Sequence, residues 1–115
     1  MTALSHDVAR SLDAELRALG ERAELRPALR GWWEAATAYA EVRTRWSLMT
    51  VLERADQDAR RTALHNVAID ALNRLSREAR SHGLSNEWRA LLGDDRKLIG
   101  DLACWCALFR GIESR

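Results

Sequence analysis

The chain has 115 residues, of which 47% are hydrophobic and 30% charged, and its formal charge is +1 at pH 7. That length fits a single domain over residues 1–115 and supports a core without disulfide staples. The near-zero charge gives no global field for nucleic acid or a membrane surface, and no apolar run nears the ~20 residues of a spanning helix.

The N-terminus is polar and carries Asp7 early, so it does not read as a signal peptide, and a cytoplasmic location is expected. Seventeen of the eighteen basic residues are Arg. Arg forks suit phosphate recognition, but a GC-rich coding bias gives the same excess and also accounts for the nineteen Ala.

The single Pro, the sparse Gly and the absence of period-two alternation predict an all-α fold. Ser5 is a good N-cap for a first helix, with Asp7 in its first turn. Val8, Leu12, Leu16 and Leu19 give that helix a buried stripe, and Gly20 can end it. Pro27 suits the first turn of a second helix. Trp32, Trp33, Ala36, Tyr39, Ala40 and Arg43 carry its pattern towards Trp46.

Thr50-Val-Leu-Glu53 reads as a capping box opening a third helix that runs to about Ser81, with Gly83 beyond. Some thirty residues is long for a globular helix, so a break near 56–58 is an alternative. Asn86 can cap a short helix holding Trp88, Leu91 and Leu92. Asp94 or Asp95 then caps a last helix to about Arg110, stopped by Gly111. That helix is apolar nearly all round, which places it mid-bundle or against a second subunit. The expected architecture is a compact bundle of four main helices plus one short helix.

Against this background Arg61 and His65 stand out. Glu53, Gln57, Arg61 and His65 lie four residues apart, on a stripe that turns apolar at Ala68, Leu72 and Leu75. A polar group aimed at a core is costly unless it is paired. Either a cavity or plain solvent exposure explains the wet end of this stripe.

Asp101 is the second oddity, a carboxylate among Leu98, Leu102, Trp105 and Leu108, and Arg61 or His65 is its natural partner within the chain. An Arg to hold an anion, a His to shuttle a proton and an Asp to orient the His make an acid–base set. A structural ion pair is the competing account.

On the outer stripe of the third helix lie Asn66, Asp70, Asn73 and Arg77. They read as a solvated face or as hydrogen-bond partners for a neighbouring loop, with Asp94, Asp95 and Arg96 nearby in sequence. The adjacent Trp32 and Trp33 cannot both face one core, since neighbours differ by about 100°. Trp33 and Trp105 are therefore candidate walls of a ligand site. Cys104 and Cys106 diverge by about 200° on a helix and read as reduced fillers. No zinc, P-loop, Ser-His-Asp or calcium pattern is present, so neither metal nor cofactor is expected.

Two stretches, Arg61-Thr-Ala-Leu-His65-Asn66-Val-Ala-Ile69-Asp70-Ala-Leu-Asn73-Arg-Leu75-Ser-Arg77 and Gly93-Asp94-Asp95-Arg96-Lys-Leu-Ile99-Gly100-Asp101-Leu-Ala-Cys104, resemble a family of short bacterial all-helical proteins, a domain of unknown function. The resemblance covers the second half of the chain. It implies that these polar residues act together, and it implies no reaction. Arg60 and His65 also match the R-x4-H spacing that resembles the mark of helical nucleases. Here a second Arg follows the first, where those enzymes usually carry a small polar residue.

The leading expectation is an internal site for a small anionic or aromatic molecule, with Arg61, His65 and Asp101 positioned for cofactor-free isomerase, cyclase or lyase chemistry. A non-catalytic dimerisation or interaction module, with a homodimer as partner, is the alternative. A helical nuclease comes third, and no membrane or nucleic-acid partner is expected.

Overall fold

The computed structural model describes residues 3–113, and these are all-α, as the composition predicts. The main helices are α1 (His6–Leu19), α2 (Arg26–Arg45), α3 (Val51–Ser81) and α5 (Arg96–Glu113), with a short α4 (Glu87–Ala90) before the last. Single 3₁₀ turns, Ala23–Leu25 and Trp46–Leu48, flank α2.

Local chemistry sets the boundaries. Ser5 Oγ accepts from the Val8 N–H at 3.3 Å and opens α1. Pro27 lies in the first turn of α2. Both halves of the capping box form at α3: Thr50 Oγ1 accepts from the Glu53 N–H at 3.1 Å, and Glu53 Oε1 from the Thr50 N–H at 3.0 Å. With no Gly or Pro inside, α3 runs unbroken for 31 residues. At about 1.5 Å per residue it is as long as the 47 Å long axis of the molecule. It ends in a Schellman motif. Gly83 takes φ 73°, where an L side chain is strained, and the N–H groups of Gly83 and Leu84 bond the carbonyls of Arg80 and Ala79.

Several expectations shift. Val8 is 46% exposed, and Ala9 is buried instead. Asn86 does not cap α4 with its side chain; its Nδ2 donates to Ser76 Oγ at 3.0 Å. Asp95 is the cap of α5, accepting from the Leu98 N–H at 3.1 Å. Gly111 does not stop α5, which continues to Glu113. An interior helical Gly costs about 1 kcal/mol. Here Phe109 is buried just before it, and Arg17 Nη1 donates to both carboxylate oxygens of Glu113 at 2.6 Å, which holds the last turn against α1.

The centre of the bundle is α2, which packs on both α3 and α5. Its buried Ala28, Ala35, Ala36 and Ala40 allow close approach on two sides, while Trp32 fills the gap between them. The last helix is half-clothed, leaving Leu108 and Ile112 at 50% and 55% exposure. One buried cluster joins Leu12, Leu16, Trp32, Leu72, Leu75, Ile99 and Leu102. On α3 the fully buried side chains begin at Ala68, with Leu64 packed against the cluster one turn earlier, so the first three turns lie beyond this core.

Candidate functional site

Where the dry stripe of α3 gives way to the wet one, three helices enclose a cleft of about 350 Å³. Tyr39 and Arg43 enter from successive turns of α2. Arg61, Thr62 and His65 come from α3. Arg96 and Lys97 come from the first turn of α5. Five of these seven residues are Arg, Lys or His, and no carboxylate among the described residues lines the cleft. Like charges gathered this way repel one another, so the arrangement costs stability unless an anion offsets it.

His65 is fixed in this setting. Its ring stacks on Tyr39, with centroids 4.7 Å apart and planes 18° from parallel. Nε2 lies 2.8 Å from the carbonyl oxygen of Arg96. A carbonyl accepts, so Nε2 carries the hydrogen and the neutral imidazole keeps its lone pair on Nδ1. Burial pushes the imidazole below its usual range. The charges of Arg96, Arg43 and Arg61 add to this, against the opposing pull of the Arg96 carbonyl. At neutral pH His65 is therefore an uncharged base. Burial raises the Tyr39 phenol, which stays protonated.

The partner of Asp101 is neither Arg61 nor His65. Arg43 Nη2 donates to Asp101 Oδ1, and the Leu4 N–H donates to Oδ2 at 3.2 Å. Helical spacing placed Asp101 on the correct face of its own helix, but α2 lies across that face and Arg43 reaches it first. The expected orientation of His65 by Asp101 gives way to orientation by the Arg96 carbonyl and the Tyr39 ring. Gly100 makes the Arg43 contact possible. A Cβ there would meet Arg43 Nη1 at 2.8 Å and Tyr39 Oη at 3.0 Å. Nη1 itself is buried with no hydrogen-bond partner among the described residues. Arg43 is thus a wall of the cleft, already matched in charge, while Arg61, Arg96 and Lys97 supply the free positive charge. Arg61 is held by the Trp46 ring, its guanidinium carbon 4.2 Å from the ring centroid.

The other candidates disperse. Trp105 and Asp101 line an apolar groove on the far side of Arg43, with Cys104, Leu108 and Leu4; the Trp105 Nε1–H donates to the Leu4 carbonyl at 3.1 Å. Trp33 lies in a separate hollow between the ends of α1, α2 and α5, beneath the guanidinium of Arg110 at 4.4 Å. Asn66 accepts from Arg96 Nη2, and Asn73 Oδ1 from Arg89 Nε at 2.9 Å. Asp70 is exposed. Asn66, Asp70 and Asn73 therefore line no part of the cleft, and its aromatic wall is Tyr39 rather than Trp33 or Trp105. Arg60 lies in another groove, with Glu53 and Asp56, so it and His65 do not share a site. Burial raises both thiols, Cys104 and Cys106, which leaves them poor nucleophiles and poor metal ligands. Among the described residues no three His, Cys, Asp or Glu side chains gather as a metal site.

Sequence reasoning missed Tyr39, Thr62 and Lys97 as lining residues and Arg43 as the partner of Asp101. It also passed over Asp13, buried on α1 and paired with Arg17 Nε at 2.7 Å. The four-residue spacing of Asp13 and Arg17 was the available signal for that pair. No family model, curated protein or solved structure matches the chain.

Proposed function

We propose that this protein binds a small anionic molecule in the cleft between α2, α3 and α5. The observation that carries the reading is the cluster of Arg61, Arg96 and Lys97 around neutral His65, with no carboxylate lining the cleft among the described residues. The cleft's volume suits a small metabolite. His65 supplies a base beside the bound molecule, and proton transfer of the isomerase, cyclase or lyase kind is the chemistry it could add without a cofactor. The resemblance of residues 61–77 and 93–104 to a bacterial helical family fits polar groups acting together, since Arg61, His65 and Arg96 all fall within those stretches. We place the protein in the cytoplasm. No helix among the described residues is long and apolar enough to cross a membrane.

Equilibrium titration with inorganic phosphate and with benzoate tests the reading. At least one should bind. The Arg61→Ala/Lys97→Ala double variant should then lose about tenfold or more in affinity, the effect of one or two charge-assisted contacts. Its melting temperature should stay near wild type, because Lys97 is exposed and Arg61 half-exposed. No binding of either anion, or unchanged affinity in the variant, contradicts it.

One observation favours the interaction-module reading beside this one. At the turn between α2 and α3, Leu48, Val51 and Leu52 are 84%, 80% and 79% exposed. Sedimentation of the pure protein tests whether that tip joins two copies.

A further inference from the structure

The charges lining the cleft narrow its ligand further than the word anion does. Arg43 is already matched by Asp101, while Arg96 gives one nitrogen to the uncharged Asn66. Arg61 lies over an indole ring, a contact that leaves its charge uncompensated. Lys97 makes no ion pair among the described residues, and neither do Arg61 and Arg96. Three positive charges therefore converge from α3 and α5. A carboxylate would offset one of them. A tetrahedral dianion offsets two and presents oxygens to both helices at once.

His65 adds a place for one proton. It faces Tyr39 and Arg43 from α2, Arg61 on its own helix, and Arg96 and Lys97 from α5. Asp101 and Cys104 come near only as neighbours of Arg43. Every charged group among the described residues that line the cleft beside the imidazole is a cation. Burial first, and these charges after it, favour the neutral ring. Its Nε2–H is committed to the Arg96 carbonyl, so Nδ1 is the atom open to protonation. A dianion seated among the same cations reverses the local sign and favours the imidazolium.

We propose that the cleft takes the dianionic head of a phosphate monoester, and that its binding draws one proton from solvent onto His65 Nδ1. This rests on the anion-binding reading above and adds the class of ligand and its coupling to pH. No bond is made or broken in the step; one proton leaves bulk water and resides on the ring while the ligand is bound.

The test uses sulfate, a tetrahedral dianion whose own charge is constant near neutral pH, with methanesulfonate as the tetrahedral monoanion, at fixed ionic strength. Sulfate affinity should rise about tenfold as pH falls from about 8 to about 5.5, as expected for a proton taken up on binding. The ring resonances of His65 should move to their protonated positions when sulfate is added near pH 7. His65→Gln, whose amide can still donate to the Arg96 carbonyl, should lose the pH dependence of sulfate affinity. Methanesulfonate should bind about tenfold more weakly than sulfate, and phenyl phosphate at least as tightly as sulfate. A pH-independent sulfate affinity, or a slope that survives in His65→Gln, overturns the proton coupling. Methanesulfonate binding as tightly as sulfate, or phenyl phosphate binding more weakly than both, overturns the ligand class. Each of these leaves the broader anion-binding reading standing, whereas failure of every anion to bind the folded protein removes that reading itself.

Discussion

Replacing Arg43 with Met keeps most of the aliphatic stem and removes the charge. Asp101, with 10% of its side chain exposed, would then be a buried carboxylate holding one hydrogen bond, from the Leu4 N–H. Breaking a fully buried pair from one side costs about 3–5 kcal/mol. The arginine side chain is 27% exposed, so the lower end applies, about 3 kcal/mol. At roughly 2.1 cal/mol/K per residue, 115 residues give an unfolding entropy near 240 cal/mol/K, so the melting temperature should drop by about 12 °C. Adding Asp101→Asn to Arg43→Met should recover most of this, because no charge is left buried and the amide oxygen still accepts from Leu4. Urea unfolding at pH 7, with unchanged m-values, measures both variants. A loss under about 0.5 kcal/mol in the single variant, or a double variant no better than the single, would show that the pair is solvated and that Arg43 is not a fixed wall.

Gly100→Ala should cost about 1–3 kcal/mol by overpacking, since the Tyr39 ring is pinned under His65 and cannot retreat from the new methyl; a neutral thermal melt would refute the close contact. For His65 the sign is set by its lowered folded value. As pH falls through its usual 6.5 the unfolded chain takes the proton first, so stability present above that pH is lost below it. At low anion concentration the wild-type urea midpoint should therefore fall relative to His65→Gln between about pH 7 and pH 5, and a flat difference contradicts the assignment. Leu75→Ala, at a site with no exposure, should cost about 2–5 kcal/mol by denaturant unfolding. Leu52→Ala, 79% exposed, should stay within about 0.5 kcal/mol of wild type.

Helical periodicity and caps made most of the fold readable. Ser5, Thr50 with Glu53, and Gly83 act through local backbone bonds, and such signals do not depend on what packs alongside. The same periodicity placed Arg61 and His65 one turn apart on one stripe, and the structure puts both in one cleft. What sequence could not supply was which helix faces which. An angle around α5 says that Asp101 points inward, but nothing in it distinguishes α2 from α3 as the neighbour. The Arg43 contact depends on Gly100, and a residue without a side chain leaves no mark in a hydrophobic pattern. Trp33 and Trp105 were grouped because both are aromatic, yet they face separate hollows at different places along α2 and α5. The central position of α2 was obscured because its contacts are made largely by Ala, whose value lies in the close approach it permits.

The most direct measurement is a backbone amide NMR titration of the full chain with inorganic phosphate. The account predicts saturable shifts concentrated at Tyr39, Thr62, His65, Arg96 and Lys97, with the amides around Trp33 and Trp105 unmoved. Shifts centred on the hollow beside Trp33, or none that saturate, would contradict it.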